Sequence, residues 1–126
     1  MLSHSESIRV VDSAVATIAN SAAKIYDVSL RELKSIQFVA SGISTGNGAF
    51  GIEVSNNGTN WVVYNRLTTN VANTNVQEDL RTAAPTLSAN STTIYFFPRG
   101  DLFRYIRVFL TFTTDGVYSA VLQTAG

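Results

Sequence analysis

The side chains able to do acid–base or metal chemistry are few and scattered in this sequence. His4 is the single histidine and cysteine is absent, so a histidine-based triad or a zinc site of several His or Cys ligands has nothing to build on. Glu78 and Asp79 are adjacent and would point apart on an extended segment, whereas glycosidase carboxylates need a defined separation across a cleft. The sequence therefore predicts a non-enzymatic protein with no catalytic residue, no cofactor and no metal ion.

Residues 41–48 have the composition of a loop, with glycine at Gly42, Gly46 and Gly48. The spacing matches neither a Walker motif nor GxGxxG, and no Lys-Ser/Thr pair follows. A flexible connection is therefore favoured over a phosphate-binding loop. A calcium site made of loop carbonyls and carboxylates stays open as an alternative, although no EF-hand spacing occurs.

Three arginines and the sole tryptophan are the remaining candidates for ligand binding. Arg99, Arg104 and Arg107 lie close together in the sequence. Arg104 and Arg107 would face opposite sides of a strand, so structural pairing with Asp101 or with carbonyl groups is favoured over a single anion clamp made of both. Trp61 follows a turn directly, which favours a core or hairpin anchor over a sugar-stacking platform.

The surface implied by the composition is polar but uncharged. Nine basic and nine acidic side chains cancel, and 14% of the residues are charged, against about 25% in an ordinary soluble domain. Ser, Thr and Asn supply 37 of the 126 residues. The absence of a net field argues against nucleic acid or an anionic membrane as partner. A surface that loses water at low cost suits a subunit packed among neighbours, or a module that meets neutral sugars.

The clearest local signal is a hairpin centred on Asn56, Asn57 and Gly58. An Asn-Gly pair supplies the positive φ angles of a tight turn, and strand-like runs flank it from Ile52 and up to Val63. We expect this hairpin to fix strand register.

Alternating or β-branched runs predict the other strands. We expect a flexible arm over residues 1–12 and a long loop over 66–91. A helix is the rival for the first, alanine-rich pair of runs, but β-branched residues favour strands there. The expected strands are a hairpin of Ala14 to Ala19 with Ala23 to Val28, then Ile36 to Ala40, Phe50 to Val54, Trp61 to Tyr64, Thr92 to Phe97, Phe103 to Phe112 and Val117 to Gln123.

The strand over Phe103 to Phe112 carries apolar residues on both faces. Ile106, Val108 and Leu110 alternate with outward residues that include aromatic side chains, so we expect the long loop or another subunit to cover the outer face. The candidate interface residues are Phe103, Tyr105, Phe109, Glu78 and Asp79.

About eight strands and no persuasive helix predict an all-β protein. The expected fold is a single antiparallel β-sandwich of jelly-roll type over residues 13–126, preceded by an extended N-terminal arm over 1–12. Residues Ser3 to Ser7 follow the start directly, without the apolar region of a signal peptide. No apolar run approaches the ~20 residues of a membrane span.

Two motifs resemble the discoidin-like (coagulation factor 5/8 C-type, galactose-binding-like) jelly roll, over about residues 33–123. They are Phe50-Gly-Ile-Glu-Val-Ser-Asn-Asn-Gly-Thr-Asn-Trp61 and Phe103-Arg-Tyr-Ile-Arg-Val108. In that family an S-x-D-G-x-x-W turn precedes a strand reading R-Y-[IV]-R-[IVL]. The disulfide of the family's extracellular members cannot form here. The resemblance gives a structural-motif role to Ser55, Asn57 (where the family has Asp), Gly58, Trp61, Arg104, Tyr105 and Arg107.

The same turn phrase, in a short cysteine-free chain rich in Ser, Thr and Asn, also resembles virion proteins of tailed bacteriophages. This resemblance implies a capsid decoration (cement) or tail-associated protein, assembled in the host cytoplasm and located in the virion. We expect a homo-oligomer, with a trimer favoured, that contacts other virion proteins such as the capsid shell. The alternative is a carbohydrate-binding module of discoidin-like fold that recognises neutral glycans.

Overall fold

The structure of the protein, a computed structural model, describes residues 5–64, 66–67, 69–71, 75–77 and 85–126. These residues form eleven strands and one 3-10 turn, Asn20–Ala22. The strands are β1 Ser5–Ala14, β2 Ile25–Asp27, β3 Leu33–Ser41, β4 Asn47–Ser55, β5 Val62–Val63, β6 Thr69–Val71, β7 Asn75–Gln77, β8 Thr86–Leu87, β9 Ser91–Phe96, β10 Tyr105–Thr113 and β11 Val117–Ala125.

Two antiparallel sheets make up the sandwich. The first sheet has the strand order β1-β11-β3-β9, and the second has the order β2-β10-β4-β5, with β8 also paired to β4. The chain passes from one sheet to the other between most successive strands, so that chain neighbours face each other across the core. This interleaved order is that of a jelly roll, which confirms the predicted fold class. β6 and β7 form a separate two-stranded hairpin.

The core lies between the inward faces of the two sheets. Alternation along β3 places Ile36, Phe38 and Ala40 inward, and all three are buried. The Phe38 and Phe50 rings, one from each sheet, lie 4.4 Å apart between centroids, in the range where aromatic pairs attract. The predicted core face of β10 is confirmed for Ile106, Val108 and Leu110.

The N-terminal segment differs from the predicted flexible arm. It is extended, but Ser5–Ala14 is a full strand that pairs with β11 from Ser5 opposite Ala125 to Ala14 opposite Tyr118. The pairing register shifts between Arg9 and Val11 and again before Ala14. Such bulges break the two-residue alternation by which a strand is recognised in a sequence, so the polar start and the bulges concealed this strand.

The predicted hairpin of Ala14 to Ala19 with Ala23 to Val28 does not form. Ile18 instead bridges to Leu110 of β10, with reciprocal backbone hydrogen bonds of 2.8 and 3.0 Å. Only Ile25–Asp27 becomes a strand, and it too pairs with β10. Both segments therefore pair with the long strand β10 instead of with each other.

The region predicted as one long loop, 66–91, contains strands where it is described. Thr69–Val71 pairs with Asn75–Gln77, and Thr86–Leu87 pairs with β4. Strands of two or three residues are too short to show an alternating pattern. In the described part of the chain no helix is long and apolar enough to cross a membrane.

Candidate functional site

Three connections meet at one end of the sandwich, which we call the Asn56 end: residues 28–32, 56–61 and 98–104. The backbone N–H of Arg104 donates to Asn56 Oδ1 at 3.2 Å, and the N–H of Val28 donates to the Arg104 carbonyl at 2.7 Å. The two sequence motifs are therefore in direct contact, although about forty residues separate them. Their joint role is to hold this end of the fold together.

The turn between β4 and β5 is built by its own side chains. Ser55 Oγ accepts hydrogen bonds from the N–H groups of Asn57 and Gly58, at 3.2 and 2.9 Å. Asn57 Oδ1 accepts from the N–H groups of Thr59 and Asn60, at 2.9 and 2.8 Å. The predicted hairpin is confirmed, but its connection is longer than a tight two-residue turn, because pairing resumes with Val62 opposite Val54.

Gly58→Val is expected to lower the free energy of unfolding by about 1–2 kcal/mol, because Gly58 has φ +76° and β-branched residues rarely adopt that conformation. Steric conflict adds little, since an added Cβ would lie 3.4 Å from the Tyr105 ring. Denaturant unfolding measures the change. Gly58→Asn is the control and should stay within about 1 kcal/mol of wild type; equal losses in the two variants would show that φ is not the cause.

A buried ion pair lies on the outer side of the second sheet. Arg107 Nη2 is 2.6 Å from Glu53 Oε1, and the two side chains are 14% and 11% exposed. The Arg107 guanidinium also lies 4.2 Å from the centroid of the Trp61 ring, and Asn20 Nδ2 donates to Glu53 Oε2 at 3.3 Å. The Trp61 ring therefore packs over the Arg107 guanidinium and is not part of the buried core.

The remaining motif residues and the candidate interface residues do not share one site. Arg104 pairs with Asp27 at 3.4 Å in an exposed position and stacks on Tyr105, with 5.0 Å from guanidinium to ring centroid. The Phe109 ring lies over Gly51, where an added Cβ would come within 2.1 Å of it. Phe103 does not lie on the outer face of β10, because its ring packs against Tyr64 and Phe97 at the end of the core.

The outer side of β10 therefore has partners within its own chain. The prediction that Tyr105 and Phe109 form an interface stays a prediction. Glu78 and Asp79 lie outside the described residues.

A groove with a volume of about 630 Å³ opens at the Asn56 end. Its walls combine amide and apolar side chains with the paired charges of Arg66 and Asp101. Its lining includes Asn56, Asn57, Asn60, Tyr64, Asp101 and Leu102.

Asp101 organises the floor of this groove. Its carboxylate accepts a hydrogen bond from the Tyr64 hydroxyl at 2.8 Å and pairs with Arg66 at 3.1 Å. Burial of the phenol, reinforced by the hydrogen bond to the Asp101 carboxylate and by its charge, raises the pKa of Tyr64 above its ordinary value. Tyr64 therefore stays protonated and serves as a donor, not as a base, at neutral pH.

The outer face of the first sheet is a second candidate surface. Among its outward residues aligned by the β1–β11–β3–β9 register, Arg9 is the single charged side chain, and it pairs with Asp12 at 3.6 Å. Ile94 and Phe96 of β9 are 46% and 41% exposed. Around them are Val39, Val121, Gln37, Gln123, Ser35 and Ser119.

No family model and no curated protein matches this chain. Among solved structures, the crystal structure of the SPBc2 prophage-derived protein YomS is similar, with a TM-score of 0.58 at 10% sequence identity. The alignment covers 98% of this chain and 94% of that one. At this identity the likeness shows the fold, and it does not confirm the discoidin-like resemblance, which stays a prediction.

Sequence reasoning missed Lys34, Tyr64 and the organising role of Asp101. A signal for Lys34 was present, because it lies two residues before Ile36 and so shares the inward face of β3. Tyr64 and Asp101 are joined only by folding and had no such signal. Within the described ranges no group of three or more His, Cys, Asp or Glu residues is placed to hold a metal ion.

Proposed function

We propose that this protein is a non-enzymatic structural component of a phage particle, either a capsid decoration or a tail-associated protein. On this proposal it works as a homo-oligomer, with a trimer favoured, and it contacts other virion proteins such as the shell. The observation that carries the proposal is the outer face of the first sheet, which is almost free of charge and exposes Ile94 and Phe96.

We take the occupant of this face to be a second copy of the chain. The net charge is zero, and Arg9, the single charged residue of this face in the strand register, is paired with Asp12, so two copies meet with little like-charge repulsion. Uncharged Ser and Gln side chains lose their water at lower cost than Lys or Glu, and exposed aliphatic and aromatic residues supply the apolar centre of an interface. In a trimer the contact is heterologous, so this face of one copy meets a different patch of the next.

The phage assignment has separate support. The similar solved structure is that of a prophage-derived protein, and the likeness extends over nearly the full length of both chains. The chain is short, rich in Ser, Thr and Asn, and free of cysteine, a composition that agrees with a virion component.

Ile94→Glu is expected to dissociate the oligomer, because the interface would then bury an unpaired carboxylate. The matched control is Ile25→Glu. Ile25 is an isoleucine of equal exposure, 45% against 46%, on a strand of the other sheet. Sedimentation of both variants at micromolar concentration is the measurement. If Ile25→Glu dissociates the oligomer and Ile94→Glu does not, the interface lies on the second sheet and the assignment of this face is wrong.

The second candidate function, a carbohydrate-binding module, is favoured by one observation, the groove of about 630 Å³ at the Asn56 end. Its amide groups can exchange hydrogen bonds with sugar hydroxyls, and Val62 and Leu102 offer apolar contact. Assembly and glycan binding use different surfaces in this account, so the two functions are compatible.

A further inference from the structure

Lys34 is a buried cation to which no carboxylate of the described residues is paired. It is 7% exposed, and its ammonium donates one hydrogen bond, to the Arg31 carbonyl at 3.3 Å, and lies 4.9 Å from the Phe103 ring centroid. An ammonium has three N–H donors. Among the described residues the other two have no acceptor, which is costly for a charge at this depth.

The arginines around it are all paired in the described part of the chain. The pairs are Arg31 with Glu6 at 3.8 Å, Arg66 with Asp101 at 3.1 Å, Arg99 with Glu32 at 2.7 Å and Arg104 with Asp27 at 3.4 Å. The positive charge of Lys34 is therefore the one left over at the Asn56 end. The charge of the Asp101 carboxylate acts on Lys34. That carboxylate already pairs with Arg66 and accepts a hydrogen bond from the Tyr64 hydroxyl.

A second orphan polar group lies beside Lys34. Thr124 is directly opposite Lys34 in the β11–β3 register, and its hydroxyl is buried without a hydrogen-bond partner in the described structure. Directly opposed residues have Cβ atoms about 4.5–5.5 Å apart. Thr124 lines a separate cavity with Lys34, so its hydroxyl marks imperfect polar pairing around Lys34 and is not counted among the groups that would contact an anion.

Lys34 lines a cavity of about 230 Å³ that adjoins the larger groove. Arg31, Arg104 and Ser29 also line it, so it is the more basic of the two spaces. Both spaces share four lining residues, Asn56, Asp101, Leu102 and Phe103. A ligand that spans them would place an anionic group near Lys34 and an uncharged body along the amides.

We propose that Lys34 is the anion-binding residue of a site for an acidic saccharide, whose carboxylate enters the small cavity while its hydroxyl-bearing body occupies the neighbouring groove. The inference refines the second candidate function and is independent of assembly. Oligomeric mass and saccharide affinity are separate measurements, so failure of one is distinguishable from failure of the other.

The test is calorimetric titration of the full chain with a trisaccharide of galacturonic acid and with the matched neutral trisaccharide of galactose. The acidic probe is expected to bind at least tenfold more tightly. Lys34→Met should lose at least tenfold in affinity for the acidic probe and nothing for the neutral one. The matched control is Lys24→Met, which removes the other lysine of the chain from an exposed position and should bind as wild type.

Lys34→Met is expected to fold, because a methionine replaces a buried, incompletely paired charge by an apolar side chain of similar length. Arg104→Gln supplies a second variant, with an exposed side chain at the cavity wall and an expected loss of about threefold. Equal affinity of the two trisaccharides, no effect of Lys34→Met, or no binding at millimolar concentration would each overturn the proposal. Equally tight binding of a glutamate tripeptide would overturn the saccharide assignment.

The pH dependence gives an independent readout. Desolvation lowers the pKa of Lys34 from its ordinary value of 10.5, against a smaller opposing effect of Asp101. The ammonium is the binding form, so affinity for the acidic trisaccharide should fall as the pH rises through this lowered pKa, before an ordinary lysine titrates. Affinity that stays constant up to pH 10.5 would contradict a role for the Lys34 charge.

Discussion

Arg107→Met is expected to lower the free energy of unfolding by about 3 kcal/mol, at the lower end of the ~3–5 kcal/mol that breaking a buried ion pair costs. The substitution leaves the Glu53 carboxylate, 11% exposed, with the Asn20 amide as its one side-chain partner among the described residues. It also removes the cation on which the Trp61 ring lies. Guanidinium unfolding followed by far-UV circular dichroism measures the change, and Trp61 fluorescence should shift in the folded state.

Two controls separate the buried pair from a general effect of losing an arginine. Arg104→Met removes a neighbouring arginine whose pair with Asp27 is 56% and 47% exposed, and it should cost much less than Arg107→Met because solvent screens an exposed pair. The double variant Arg107→Met with Glu53→Met removes both charges and should recover most of the loss. A double variant as unstable as Arg107→Met alone would contradict the claim that the stranded carboxylate is the cause.

Gly46→Ala is expected to cost about 3 kcal/mol, the upper end of the ~1–3 kcal/mol range for overpacking. An added Cβ would lie 2.2 Å from the Thr113 carbonyl oxygen and 2.6 Å from the Asp115 backbone N. Backbone atoms cannot move aside as a flexible side chain can. The clash would also disturb the hydrogen bond of 2.8 Å that the Gly46 N–H donates to Asp115 Oδ1, by which the β3–β4 and β10–β11 connections are joined.

The control for this prediction lies in the same connection. Gly42 has φ +67° and no atom within 4 Å of an added Cβ, so Gly42→Ala tests backbone conformation without crowding and should cost about 1 kcal/mol. Thermal unfolding of the two variants side by side is sufficient. Equal losses would show that the contact with Thr113 and Asp115 is not what requires glycine at position 46.

Local patterns in the sequence were sufficient for much of the sandwich. Ile36, Phe38 and Ala40 alternate without interruption, and the strand predicted there formed with those residues buried. The turn at Gly58 was recognised because glycine tolerates its φ of +76°. These features depend on near neighbours in the chain, which a sequence displays directly.

Features that depend on distant partners could not be predicted in the same way. β1 is defined by pairing with β11 and interrupted by bulges, and Ile18 found Leu110 instead of its local neighbours. The Arg107–Glu53 pair requires two strands in one register, and the isolation of Lys34 appears only when the other charges around it are paired. Such arrangements are properties of the whole topology.

The proposal that this protein is a self-assembling structural component is tested most directly by its mass in solution, from light scattering at micromolar concentration. We expect a stable oligomer, with three times the chain mass of 13.6 kDa favoured. The mass should be unchanged by Ile25→Glu and reduced to that of one chain by Ile94→Glu. A wild-type protein that is a monomer under these conditions would contradict the claim.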